Sequence, residues 1–137
     1  MLEEYQTTKW LAEKSGLPEA RIRFCLTADE SVFPSVSRGI LFLFAFWSGP
    51  AHVNFKHLAG TLAELDPQCR LEFVVVDIDG APGVCESPEF RGKVGGNGEA
   101  AWIRDGHIEA VSYYDRGKAT VRDFEQVTIR LLDDKLC

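Results

Sequence analysis

Gly39-Ile40-Leu41-Phe42-Leu43-Phe44-Ala45-Phe46-Trp47-Ser48-Gly49-Pro50-Ala51 decides how the rest of the chain is read. Residues 39–47 form an unbroken apolar run, the pattern of a central strand covered on both faces. Ser48-Gly49-Pro50 follows at once, and proline suits the first turn of a helix. Phe55, Leu58, Leu62 and Leu65 then recur at helical spacing until Asp66-Pro67 stops the helix. Leu71 to Ile78 is a second buried strand, rich in valine, ending at Asp79-Gly80.

Working outward, Tyr5 to Lys14 is a polar helix carrying Trp10 and Leu11, closed by Ser15-Gly16-Leu17-Pro18. Ile22-Arg23-Phe24-Cys25-Leu26 alternates like a half-buried strand, and Thr27-Ala28-Asp29-Glu30 starts a short helical turn. Downstream, Pro82 and Pro88 frame a weakly helical stretch leading to the glycine run Gly92–Gly98. Ala100 to Arg104 and His107 to Tyr114 flank Asp105-Gly106, a hairpin signal because that pair tolerates the positive φ of a type I′ turn. Thr120-Val121-Arg122-Asp123 reads as a variant capping box, opening a helix with Val121, Phe124, Val127 and Leu131 along one face. Parallel buried strands joined by helices, then a hairpin and a last helix, predict an α/β fold. The expected architecture is a three-layer α/β/α sandwich on a five-stranded mixed sheet, with an extra N-terminal helix.

The chain has 137 residues, with 45% hydrophobic and 26% charged. That composition and length fit one domain over residues 1–137, with 1–20 as a helical extension. A net charge of −6 is opposite to the basic face that nucleic-acid binders carry, and it disfavours anionic membranes. Met1-Leu2-Glu3-Glu4 is acidic with no apolar run after it, and residues 40–47 are too short to span a bilayer. A cytoplasmic protein with reduced thiols is the resulting expectation. Cys25, Cys69, Cys85 and Cys137 form no CxxC pair and have no histidine at ligand spacing, so neither zinc nor another cofactor is expected.

From Ile22 to about Leu132 the chain resembles the thioredoxin family. Phe46-Trp47-Ser48-Gly49-Pro50-Ala51 is similar to that family's WCGPC loop, and Val74-Val75-Val76-Asp77-Ile78-Asp79, Arg104-Asp105-Gly106-His107 and the terminal helix follow in family order. The departures matter as much. In the family, one cysteine at the helix start becomes the thiolate and a second resolves the mixed disulfide. Ser48 and Ala51 occupy those positions here. The resemblance also maps the family's buried strand carboxylate onto Phe42, its nearby lysine onto Val75, and its cis-proline near Gly98 after about four extra loop residues. All these losses belong to one mechanism. They imply a redox-inactive, non-catalytic member acting as a binding, adaptor, chaperone or assembly-factor domain. The resemblance extends to hydrogenase maturation factors, and basic toxins are another class of target for a small acidic domain. The binding face so implied is Trp47, Ser48, Gly49, Pro50, Ala51 and His52 with Gly96, Asn97 and Gly98, and its partner is another protein.

Other chemistry competes for the same residues. Glutathione-using relatives place a serine at this helix start to stabilise a bound thiolate, so a glutathione- or thiol-handling enzyme using Ser48 is the alternative. As a structural residue, Ser48 is a helix N-cap. A Ser48–His52 hydrolase lacks both G-x-S-x-G and an orienting acid, which leaves His52 as a solvated first-turn residue. Asp77-Ile78-Asp79-Gly80 resembles the DxDG of haloacid-dehalogenase enzymes, yet has no partner motifs and falls short of an EF-hand at Ala81; capping of the next turn explains it. The glycine run lacks GK[ST] and reads as a flexible loop rather than an anion nest. Cys85 has acidic neighbours and no cation, so it is read as inert, as is Cys137. Trp47 is expected at the surface and Trp102 in the core.

Overall fold

In a computed structural model, which describes residues 2–115, 118–121 and 123–133, five strands form one sheet in the order β1-β3-β2-β4-β5. The strands are β1 (Ile22–Cys25), β2 (Arg38–Phe44), β3 (Glu72–Asp77), β4 (Ala100–Arg104) and β5 (His107–Ser112). The helices are α1 (Leu2–Ser15), α2 (Gly49–Leu65), α3 (Pro82–Cys85) and α4 (Phe124–Leu132). A small ribbon of β6 (Tyr114–Asp115) and β7 (Lys118–Ala119) follows β5. β3 runs parallel to both β1 and β2, and β4 runs antiparallel to β2 and β5, so the sheet is mixed.

The period of two along β2 sorts its side chains into two cores. Ile40, Phe42 and Phe44 face α1, α2 and α4 and pack with Leu11, Phe55, Leu58, Leu62, Phe73, Val75, Trp102 and Leu131. Leu41 and Leu43 face the opposite side, with Phe33, Val74, Val76, Val84, Phe90 and Ile103. The helix layer on that second face is thin. It consists of a 3-10 turn at Glu30–Val32, capped by Asp29, and the four-residue α3. Phe42 and Val75, register partners across β2 and β3, are both fully buried in the first core. Trp102 is buried too, its Nε1 donating to Thr128 Oγ1 at 3.1 Å. The hairpin forms as its sequence requires, with Asp105 at φ 52° and Gly106 at φ 76°.

At two element ends the difference from the expectation has a clear physical cause. β2 stops at Phe44 rather than Trp47, because its ladder runs out: Phe44 pairs Asp77, where β3 also ends. Ala45 to Ser48 then form a turn, Ser48 N donating to Ala45 O at 3.0 Å. α4 starts at Phe124 rather than at Val121. The Thr120 hydroxyl is taken by β5, where it accepts from Tyr113 N and lies 3.4 Å from Val111 O. Asp123 caps instead, accepting from Gln126 N. Arg122 of the expected box and Cys137 lie outside the described residues.

Candidate functional site

At the C-terminal ends of β2 and β3, the 45–48 turn delivers the chain into α2. Ser48 takes the N-cap position with extended dihedrals, but its side chain makes no capping hydrogen bond. Pro50 lies in the first turn, where its missing N–H costs nothing. Ala51 is fully buried in the helix-side core. Trp47 is 65% exposed.

The glycine run comes up beside this turn. A Cβ on Gly96, which has φ +77°, would stand 2.5 Å from Trp47 Cη2, so the tryptophan ring rests on bare backbone. Gly98, at φ +87°, is as tight: a Cβ there would meet Phe42 Cζ and Asn54 Cβ at 3.0 Å each. Asn54 Nδ2 donates to Asn97 O at 2.6 Å and to Tyr114 Oη at 3.3 Å. From below, Glu99 Oε2 accepts from Gly95 N and Asn97 N. The loop expected to be flexible is therefore pinned on two sides. Its N–H groups do converge on an anion, and that anion is the chain's own buried Glu99 carboxylate. Trp47 is thus brought onto Gly96, and Asn54 of α2 onto Asn97 and Gly98.

His52 departs from expectation. It is half-buried, with Nε2 donating to Phe46 O at 2.8 Å and its ring edge-on to Phe44 (4.9 Å) and Trp10 (5.7 Å). The reason is tertiary: α1 lays Trp10 over the first turn of α2. Between Ser48 and His52 the bond found among the described residues is a first-turn backbone one, His52 N to Ser48 O, with no nucleophile–base contact.

Cys25, Cys69 and Cys85 are not disulfide-bonded. Burial, then the charges of Glu99, Glu86 and Asp79, push the Cys85 thiol above its ordinary value, which opposes a nucleophilic role. Asp77 accepts from Asp79 N and caps the following 3-10 turn. Among the described residues no three histidine, cysteine or acidic side chains gather to hold a metal, and no helix is long and apolar enough to cross a membrane. Asn54, Glu99, Tyr114 and Trp10 complete the site without having been singled out. A lone acid immediately after a glycine run was the one sequence signal for any of them.

No family model matches this chain, and no curated protein does either. Solved structures do match it. One comes from work on thiol resolving in yeast mitochondrial 1-Cys peroxiredoxin via glutathione/thioredoxin systems, with TM-score 0.56 and 15% identity over 83% of this chain and 96% of that one. Reduced Schistosoma mansoni thioredoxin pre-protein gives 0.53 and 17% over 82% and 96%. A mutant thioredoxin from Halobacterium salinarum gives 0.55 and 14% over 81% and 88%. The chain therefore has the thioredoxin-like fold, and at these identities the likeness is one of fold.

Proposed function

We propose that this chain is a non-catalytic, redox-inactive thioredoxin-fold domain that binds another protein through the face around Trp47. The observation that carries the reading is the pair Ser48 and Ala51 at the two positions where thiol–disulfide exchange needs sulfur, with Ala51 sealed into the core. No thiolate attacks from a serine, and none resolves from a buried methyl group. What remains at the surface is an exposed indole on a glycine shelf, with Val53 also exposed on α2 and Tyr114 bonded to Asn54. An exposed aromatic amid rigid, hydrogen-bonded surroundings is the usual anchor of a protein interface.

Insulin reduction by dithiothreitol is expected to run at the same rate with and without the protein; acceleration refutes the redox-inactive reading. A partner captured from native lysate is expected to lose about 2 kcal/mol or more of affinity on Trp47→Ala. Unchanged affinity moves the binding face elsewhere.

One observation favours a second reading. The Ser48 hydroxyl, uncommitted to capping, stands at the start of a 17-residue helix, where a bound thiolate of glutathione would be stabilised. Saturable glutathione binding that Ser48→Ala abolishes would select it over the adaptor reading.

A further inference from the structure

A cavity of about 290 Å³ lies between α1 and the start of α2, lined by Gln6, Thr7, Trp10, Phe46 and His52. It shares His52 with the binding face implied by the sequence but not Trp47, which turns to Gly96 and is not among the lining residues. We propose that this cavity binds a small neutral aromatic molecule bearing one N–H or O–H donor.

Size, walls and charge carry the inference. An enclosed apolar cavity of about 150 Å³ holds a benzene ring, and this more open one, at about 290 Å³, has room for two fused rings lying partly in solvent. Three of its walls are rings already set for aromatic contact: Trp10 and Phe46 are tilted at 52° with centroids 5.9 Å apart, and Trp10 and His52 meet edge-on at 5.7 Å. None of the five lining side chains is acidic, and Lys14 Nζ already stands over the Trp10 ring at 5.1 Å. A cationic guest would find no counter-charge and a resident competitor.

The donor requirement follows from His52. A carbonyl only accepts, so Nε2 carries the hydrogen of the bond to Phe46 O, and in that tautomer Nδ1 is the ring's acceptor. Gln6 and Thr7 add further polar atoms at the α1 wall. An aromatic wall with few polar groups, at the seam between a helix and the body it covers, is the usual make-up of a small-molecule pocket.

NMR titration of the full chain with indole tests this. Saturable shifts are expected at Gln6, Thr7, Trp10, Phe46 and His52, with N-methylindole weaker by about tenfold for want of the donor. Tetramethylammonium is expected not to saturate. Thr7→Leu should weaken indole by about tenfold or more by filling the space, and Gln6→Phe, at an exposed helix position, does the same should the first variant fail to fold. Non-saturable shifts, shifts gathered around Trp47 and Gly96, or blocking variants that bind indole unchanged overturn the site. Equal binding of N-methylindole, or saturation by tetramethylammonium, overturns the assigned ligand class.

Discussion

Phe42 sits at the centre of the helix-side core. Its ring lies edge-on to Phe44 at 5.5 Å and tilted against Phe55 at 5.7 Å, and its tip closes on Gly98. An aromatic thus fills the interior point where the resemblance implies a carboxylate. Phe42→Ala is expected to cost about 3–5 kcal/mol in urea unfolding, the cost of a large buried cavity. Trp47→Ala, by contrast, should change stability by no more than about 0.5 kcal/mol, because the indole is exposed. Gly96→Ala should disturb Trp47 more than its own deletion disturbs the fold, since the added methyl strikes the ring at a positive φ. A shift in Trp47 fluorescence reads this out. At Cys85 the sign of the pH effect is fixed. The folded state holds the thiol proton to higher pH than the unfolded chain, so stability is full below the ordinary value near 9 and falls as pH rises above it. Cys85→Ala should flatten that decline in a pH series of unfolding curves.

At the scale of elements, the two helix starts make a controlled comparison. Asp123 caps α4 with a side-chain bond to Gln126 N, whereas Ser48 sits at the α2 cap position without one. Asp123→Ala is therefore expected to cost about 1 kcal/mol and Ser48→Ala close to nothing. Equal losses in thermal unfolding would contradict the geometry at Ser48. The end of α4 is held differently. Arg104, at the end of β4, donates from Nη2 to the carbonyls of Arg130 and Leu131 at 3.0 and 2.9 Å, and from Nε to Glu109. A cation thereby satisfies the orphan carbonyls of a helix C-terminus and complements its dipole.

Over the whole molecule, one buried pair ties the approach to β1 to the connection between α2 and β3, 45 residues away in sequence. Arg21 donates to Asp66 O at 2.7 Å and pairs with its carboxylate, while Asp66 also accepts from Arg70 N and Leu71 N at 2.8 Å. The residue that stops α2 therefore also sets the entry to β3 and holds the approach to β1. Asp66→Ala is expected to cost about 3–5 kcal/mol, since it leaves a buried guanidinium without its charge partner. A loss under about 1 kcal/mol would mean that the pair is replaceable by water.

The sequence by itself determined the sheet and its order of elements. A strand buried on both faces must be apolar where it is covered, and residues 40–44 of β2 and 73–76 of β3 meet that requirement. The Asp105-Gly106 turn and the proline-started α2 are equally local, because the backbone angles they need are open to few residues. Ser48 and Ala51 could be read for the same reason: they are substitutions in a contiguous loop. Tertiary structure alone decided the rest. The 39–47 run did not reveal that β2 ends at Phe44, because a strand ends where its partners end, and β3 turns away at Asp77. Thr120 lost its capping role to hydrogen bonds at the end of β5, with Tyr113 N and Val111 O. His52 left solvent because α1, from the other end of the sequence, brought Trp10 onto it. The glycine loop gained its hold from Asn54, which reaches Asn97 O from α2 across 43 residues of sequence, together with the local bonds of Glu99.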